Sequence, residues 1–191
     1  MSSNLKSVTA CFTGGRPKSL FPTYPYADFR RKDYNHMVDN VFRFIEQLYI
    51  QHGIYRFISG GAQGFDQVAF QAVARLKASY PNAENIVYVP FEHQDSKWSD
   101  YGIFSKLEYR KMLSEADAVY NCRPVIDSHA PYGVIAKALQ YRNECMCNDS
   151  CMVIGQFPND TWSTTYKSGT ANCLRYANKQ GMTLHVYDFR N

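Results

Sequence analysis

Apolar residues recur along the chain in two patterns, at three- and four-residue steps in some segments and in short β-branched runs in others. Met37, Val41 and Leu48 illustrate the first pattern, which gives a helix one apolar face. This spacing predicts helices over residues 33–51, 65–79, 104–116, 131–146 and within 169–181. The short apolar runs predict strands over residues 6–12, 54–58, 85–91, 118–122, 151–157 and 183–189.

Strands and helices alternate along the whole chain, which is typical of an α/β domain. We therefore expect a doubly wound, mostly parallel sheet with helices packed on both faces. The chain contains no internal repeat, low-complexity tract or convincing linker, so we expect residues 1–191 to form a single domain. Sheets of this kind bind ligands outside the carboxyl ends of their strands, so the candidate chemistry belongs in the loops at those ends.

Composition is that of an ordinary globular protein. Of the 191 residues, 45% are hydrophobic and 15% are aromatic, which argues against disorder. No uninterrupted apolar window predicts a membrane-spanning helix, and the polar start at residues 1–6 does not resemble a signal peptide. We therefore expect a cytoplasmic protein with no membrane partner. The net charge of +4 favours anionic ligands mildly and argues against a reader of duplex DNA, which carries a clustered basic surface.

Cysteine and histidine spacing does not predict a metal site. Cys145, Cys147 and Cys151 lack the paired C-x2-4-C spacing of structural zinc sites, and a disulfide framework is not expected in a chain of this size without a signal peptide. The five histidines are scattered, and no Ser-His-Asp order is visible. We expect reduced thiols, no metal and no cofactor.

One glycine-rich loop is the strongest local signal for ligand binding. It follows a predicted strand, opens a predicted helix, and reads Ser59-Gly60-Gly61-Ala62-Gln63-Gly64-Phe65-Asp66. Glycines permit a sharp turn and close backbone approach to a ligand, and the free N–H groups of a first helical turn attract an anion such as phosphate. The loop is neither the G-x-G-x-x-G fingerprint nor a Walker loop. A plain strand-to-helix turn is the alternative interpretation.

Two roles suit Asp66 at the end of this loop. Because a carboxylate repels phosphate, Asp66 would accept a hydrogen bond from a ribose hydroxyl if it touches the ligand. The competing role is structural, either holding the loop backbone or compensating the helix dipole.

Two further loops carry glycine beside polar side chains. The first, Thr13-Gly14-Gly15-Arg16, ends the first predicted strand, and Arg16 offers a fork of donors suited to phosphate or carboxylate. The second, Ser168-Gly169-Thr170, precedes the last predicted helix and could form another phosphate cradle. Each is a weak signal when taken alone.

In their order along the chain, these pieces resemble the SLOG superfamily and, within it, the YspA/YpsA-like Rossmannoid proteins. Besides the three loops, the matching residues are Pro17, Pro90, Phe91, Gln94, Trp98, Tyr109, Leu113, Ala116, Asp117, Arg142, Asn143, Met146, Asn172, Tyr176 and Ala177. The resemblance implies a Rossmann-like fold and a pocket for a nucleotide or nucleotide-derived ligand, with Arg142 and Asn143 on its wall. Because relatives often pair through helices, it also suggests a homodimer.

The chain departs from the family pattern at several positions. Ser168 stands where the family usually has the first glycine of Gly-Gly-Thr, and Asn148 and Cys151 replace acids near the end of the Arg-Asn helix. In the related phosphoribohydrolases, a catalytic Glu lies three residues after Gly-Thr. That position is Cys173 here, and a thiol does not act as that carboxylate. The family's hydrolytic mechanism is therefore not expected.

Three functions are compatible with these features. The favoured function is a sensor or sequestering protein that binds a nucleotide-derived small molecule in a pocket formed by the three loops. The second is a hydrolase that cleaves a nucleotide, for which Asp66 is the candidate catalytic residue. The third is binding of single-stranded DNA, as in the DprA relatives, which requires aromatic side chains and a basic groove. The aromatic residues are present, but the net charge of +4 is low for a basic groove.

Overall fold

The computed structural model describes residues 3–22, 31–100, 102–123, 125–164 and 166–191. The helices and strands of these ranges are, in chain order, α1 (Ser3–Lys6), β1 (Thr9–Thr13), α2 (Pro17–Leu20), α3 (Arg31–His52), β2 (Arg56–Ser59), α4 (Phe65–Ser79), β3 (Glu84–Val89), α5 (Lys106–Glu115), β4 (Ala118–Asn121), α6 (Tyr132–Asn148), β5 (Met152–Gln156), α7 (Gly169–Lys179) and β6 (Thr183–Tyr187). A short 3-10 helix, Asp160–Ser163, lies between β5 and α7.

The strands form one sheet in the order β4-β3-β2-β1-β5-β6. Every neighbouring pair is parallel, and Cys11 in the central strand β1 is level with Ile58 of β2 and Val153 of β5. The predicted α/β class with a doubly wound sheet is therefore confirmed. The strand order reverses between β1 and β5, and the loops leaving such a reversal frame a crevice at the carboxyl edge of the sheet.

Helices cover both faces of the sheet because alternate residues of each strand point in opposite directions. Ala10 and Phe12 of β1 belong to the core formed with α3 and α4, whereas Cys11 belongs to the core formed with α6 and α7. Helix α5 packs near α4, where Tyr109 and Met112 meet the buried side chains of β3. Each face of the sheet therefore has its own hydrophobic core.

The predicted elements match the observed ones to within a few residues, with three differences. The first strand begins at Thr9 rather than at residue 6, because α1 ends at Lys6 and a turn over residues 7 and 8 follows it. The loop after β1 contains α2, which has Pro17 at its first position, where the missing N–H costs nothing. The loop after β5 contains the 3-10 helix capped by Asn159. In the part of the chain described above, no helix is long and apolar enough to cross a bilayer.

Candidate ligand-binding site

A cavity of about 320 Å³ opens at the carboxyl edge of the sheet, between the loops that leave β1 and β5. The starts of α4 and α7 and the middle of α6 complete its wall. The predicted site residues that line it are Thr13, Gly14, Gly15, Arg16, Ala62, Asp66, Arg142, Asn143, Ser168, Gly169 and Thr170. The predicted residues Ser59, Gly60, Gly61 and Gly64 do not line it. The cavity therefore lies where the strand order reverses, and three loops separated in sequence meet there.

The glycine loop after β2 is closed by its own carboxylate. The Ala62 N–H donates a hydrogen bond of 3.1 Å to Asp66 Oδ2, and the Gly60 N–H also donates to this carboxyl group. The Phe65 N–H, at the start of α4, donates to the Gly15 carbonyl at 3.1 Å. The Asp66 carboxylate thus accepts hydrogen bonds that this loop could otherwise donate to an external anion. These contacts support the structural role of Asp66.

The glycines of this loop make room for protein atoms. A Cβ added to Gly60 would lie 1.3 Å from Arg142 Nη1, so the guanidinium rests directly on the backbone at this point. Gly64 has a φ of 104° and leaves space for the Gly15 carbonyl oxygen, which would lie 2.4 Å from an added Cβ. Gly61 faces Tyr109 rather than the cavity. Close approach is therefore required here, as the sequence predicts, but the approaching groups belong to this chain.

Arg142 is a buried cation on the cavity wall. Its relative exposure is 6%, and its Nη1 lies 3.6 Å from Asp66 Oδ2, an ion pair beyond hydrogen-bonding distance. The buried Nε and Nη1 atoms have no hydrogen-bond partner in the described ranges. Burial raises the pKa of Asp66, while Arg142 and the Ala62 N–H oppose that rise. Because a buried charged donor without an acceptor is costly, Arg142 is suited to an anion that enters the cavity.

The start of α7 presents free backbone donors to the same cavity. The Ser168 side chain caps the helix by accepting a hydrogen bond of 3.0 Å from the Ala171 N–H. The N–H groups of Gly169 and Thr170, which line the cavity, donate to no acceptor among the described residues. A helix N-terminus with free N–H groups attracts an anion through these donors and the helix dipole.

Three other residues singled out from the sequence, Gln94, Arg16 and Asn143, lie at or beside the site. Gln94 Nε2 donates to the Gly60 carbonyl at 3.3 Å and contacts the Tyr109 hydroxyl oxygen at 3.0 Å, which braces the glycine loop against α5. Arg16 is exposed and lies over the Trp98 ring, with its Cζ 5.7 Å from the ring centroid. Asn143 is buried and lines the cavity beside Arg142.

Sequence reasoning missed the wall formed after β5 and by the C-terminal residues. Phe157, Asn159 and Tyr166 line the cavity from the loop after β5, and Arg190 lines it from beyond β6. Arg190 is bound to Asp188 at 2.6 Å, and this contact lowers the pKa of Asp188 to about 2. Loops that follow parallel strands lie at the ligand-binding edge of a sheet, so the position of this loop after a predicted strand could have identified its part of the wall. No local pattern in the sequence identifies Arg190.

Cys173 does not reach the cavity. It is fully buried, and its Sγ lies 3.7 Å from Cys147 Sγ. The Cys147 thiol and burial raise the pKa of Cys173 well above its ordinary value, so the thiol is neutral near pH 7. Among the described residues that line the cavity, Asp66 is the only carboxylate. In the same ranges, no group of three His, Cys, Asp or Glu side chains is placed to hold a metal ion.

Comparisons with proteins of known sequence identify relatives over most of the chain. The chain is 35% identical over 145 residues to the uncharacterized SPbeta prophage-derived protein YoqJ of Bacillus subtilis strain 168, an alignment that covers 74% of this chain and 80% of the relative. It is 26% identical over 141 residues to the UPF0398 protein BH1768 of Halalkalibacterium halodurans, with 74% and 67% covered.

Two solved structures share the fold. DNA processing protein A (DprA) of Streptococcus pneumoniae superposes with a TM-score of 0.53 at 14% identity, covering 95% of this chain and 50% of that protein. DprA of Helicobacter pylori, described by its single-stranded DNA binding mode, gives a TM-score of 0.52 at 18% identity, covering 97% and 68%. The model of the YspA SLOG family matches residues 28–191. Sequence and fold agree with the resemblance stated above, and the chain belongs to the YspA SLOG family.

Proposed function

We propose that this protein binds a nucleotide or a nucleotide-derived small molecule, as a sensor or sequestering protein, with a phosphate held between Arg142 and the start of α7. The observation that carries the proposal is the buried Arg142 guanidinium, which lines the cavity while two of its nitrogens find no acceptor among the described residues. Phosphate oxygens supply acceptors for these donors and for the free N–H groups of Gly169 and Thr170.

Charge distribution supports this position for the phosphate. Asp66 repels an anion at the glycine loop, so the phosphate is expected on the side of Arg142 that faces α7. Arg190 is already paired with Asp188, whereas exposed Arg16 adds positive charge at the mouth of the cavity. The cavity volume of about 320 Å³ lies near the lower end of the range for small-molecule pockets and favours a ligand of mononucleotide size.

Binding without hydrolysis is favoured by the state of the carboxylate. Asp66 is engaged by two backbone N–H groups and by Arg142, so none of the lining residues that the structure describes offers a free carboxylate to stabilise positive charge on a ribose. We expect no free base when the protein is incubated overnight with AMP, GMP, CMP and UMP and the mixture is separated by chromatography. Robust base release that disappears in a folded Asp66→Asn variant would favour the hydrolase instead.

The phosphate position is tested by calorimetry with the same four nucleotides and with inorganic phosphate. We expect Arg142→Ala to weaken binding by about 1.5–3 kcal/mol, the cost of a lost charge-assisted hydrogen bond. Arg123→Ala is the matched control, because Arg123 is exposed and stacks on Tyr141, with its Cζ 3.9 Å from the ring centroid, and does not line the cavity. Equal affinities in the wild type and in folded Arg142→Ala would reject the assignment.

Pairing of two copies is a separate proposal. The exposed aromatic side chains Tyr120 on β4 and Tyr141 on α6 offer apolar surface through which two copies could associate. We expect a homodimer by light scattering coupled to size-exclusion chromatography. A single-stranded oligonucleotide added in the same experiment tests the DNA-binding alternative, for which we expect no co-elution.

A further inference from the structure

The residues that follow β5, 157–164 and 166–168, supply one wall of the cavity, through Phe157, Pro158, Asn159, Thr161, Tyr166 and Ser168. Its 3-10 helix, Asp160–Ser163, is capped by Asn159, whose side-chain oxygen accepts from the Thr161 N–H at 3.1 Å and from the Thr161 hydroxyl at 2.6 Å. Asn159 and Thr161 both line the cavity. The wall is therefore a built structure that faces the ligand space.

Arg175 fastens this wall to α7. Its Nη1 donates to the backbone carbonyl of Trp162 at 2.6 Å and to that of Tyr166 at 3.1 Å, with a longer contact of 3.4 Å to the carbonyl of Thr164. Its Nη2 donates to Asn172 Oδ1 at 2.6 Å, which fixes the guanidinium on the helix. Because α7 also presents the free N–H groups of Gly169 and Thr170, Arg175 couples the wall to the proposed phosphate position.

Tyr166 is the aromatic side chain that this arrangement presents to the ligand. Its ring lies edge-to-face with buried Phe157, with centroids 5.4 Å apart and planes at 85°. It lines the cavity, yet 51% of the residue is exposed, so part of the ring has no protein neighbour. A ring held at one side and open at the other is suited to stacking on a planar ligand ring.

We infer that residues 157–164 and 166–168 determine the ligand specificity of the cavity, with Tyr166 as the platform on which a planar heterocycle of the ligand stacks. The inference rests on the proposed function and narrows it: the ligand carries a phosphate at one end and a base at the other, as a nucleoside monophosphate does. Arg175 is a positioning residue, since it acts by holding the Tyr166 backbone.

Calorimetry with the tightest of AMP, GMP, CMP and UMP, and with ribose 5-phosphate as the probe lacking a base, tests this inference. We expect Tyr166→Ala to weaken nucleotide binding about tenfold or more and to leave ribose 5-phosphate binding unchanged. Tyr166→Phe keeps the aromatic ring and should therefore bind the nucleotide with the affinity of the wild type. Tyr132→Ala is the matched control, because Tyr132 is 87% exposed and does not line the cavity.

The role of Arg175 is tested by a double-mutant cycle. We expect Arg175→Ala to weaken nucleotide binding, and the combined Arg175→Ala and Tyr166→Ala variant to bind no more weakly than Tyr166→Ala alone, because both changes remove the same platform. Independent losses would reject the positioning role.

The outcomes separate the two proposals. If Tyr166→Ala leaves nucleotide affinity unchanged, or weakens the nucleotide and ribose 5-phosphate equally, the platform is rejected while the phosphate site stands. If the wild type binds none of the nucleotides, ribose 5-phosphate or inorganic phosphate, the proposed function fails and the platform fails with it.

Discussion

Two loops of this protein begin helices at the same edge of the sheet, and they differ in what their backbone N–H groups do. In the loop before α4, the N–H groups of Gly60, Ala62 and Phe65 donate to Asp66 and to the Gly15 carbonyl, and its glycines Gly60, Gly61 and Gly64 do not line the cavity. At the start of α7, Gly169 and Thr170 line the cavity, and their N–H groups donate to no acceptor in the part of the chain that the structure describes.

The difference shows that the number of glycines in a loop does not predict whether the loop binds an anion. Glycine allows close approach, and at Gly60 the group that approaches is the Arg142 side chain. Free donors decide where an anion binds, because a satisfied N–H group gains little from a second acceptor. The two loops therefore cooperate: the first positions Arg142, and the second supplies the backbone donors.

The largest expected effect is on stability, and it separates alanine substitution at Gly60 from alanine substitution at Gly169. Gly60→Ala places a methyl group 1.3 Å from the present position of Arg142 Nη1 and 2.7 Å from Asp66 Oδ2, so both members of this ion pair must move. Breaking a buried charge pair typically costs about 3–5 kcal/mol, and we expect a loss of stability in this range by urea denaturation. Gly169→Ala is the matched change, since an added Cβ there meets no atom within 4 Å.

Equal stability of Gly60→Ala and Gly169→Ala would show that the two loops do not differ in this way. Gly169→Ala keeps the backbone N–H, so it should also retain the affinity for inorganic phosphate, whereas folded Gly60→Ala should lose it. Loss of phosphate binding in Gly169→Ala alone would show that space at the start of α7, and not its donors, limits the site.

The cap of α7 is expected to give an intermediate effect. Ser168→Ala removes the acceptor for the Ala171 N–H and should destabilise the protein by about 1 kcal/mol in chemical denaturation. Ser168→Asp restores a cap but places a negative charge beside the proposed phosphate, so stability should return while phosphate affinity falls. Unchanged phosphate affinity in Ser168→Asp would place the anion elsewhere.

The smallest expected effect concerns the ion pair between Arg190 and Asp188. The pKa of Asp188 is lowered to about 2, first of all by Arg190. A carboxyl with a lowered pKa stabilises the fold above its ordinary pKa near 4, and this contribution is lost as the pH falls from about 4 to 2. We expect Asp188→Asn to cost about 1 kcal/mol or less at pH 7, because solvent screens the pair.

Thermal unfolding at pH 7 and pH 2 measures this effect. The difference between the wild type and Asp188→Asn should be present at pH 7 and should have become much smaller at pH 2. A difference that persists at pH 2 would mean that the side chain stabilises the fold through its hydrogen bond with Gln156 rather than through its charge.

The sequence predicted the fold well because the fold depends on local patterns. The helix over residues 65–79 was predicted with its observed bounds, since Gly64 precedes it and Pro81 follows shortly after its end. α2 was missed because a single turn that opens with Pro17 has no periodicity to detect. The meeting of the three candidate loops followed from parallel topology, in which the carboxyl ends of all strands share one edge.

The interior of the site could not be predicted in the same way. Nothing local indicates that Gly60 makes room for Arg142, since the two residues are distant in sequence and meet only when α6 packs on the sheet. Asp66 was assigned two competing roles, and its hydrogen bond to the Ala62 N–H favours the structural one. Tyr166 and Arg190 enter the cavity through loop geometry, for which the sequence carries no periodic signal. The ligand contacts of the predicted residues remain a prediction.

The proposed phosphate site at the start of α7 can be located by glycine-selective ¹⁵N labelling. Gly169 and the glycines of the loop before α4 then report in one spectrum of the chain's eleven glycine amides. During titration with inorganic phosphate, we expect the Gly169 amide to show the largest chemical-shift change and Gly61 and Gly64 to change little. The largest change at Gly61 or Gly64, with Gly169 unmoved, would place the phosphate at the loop before α4 instead.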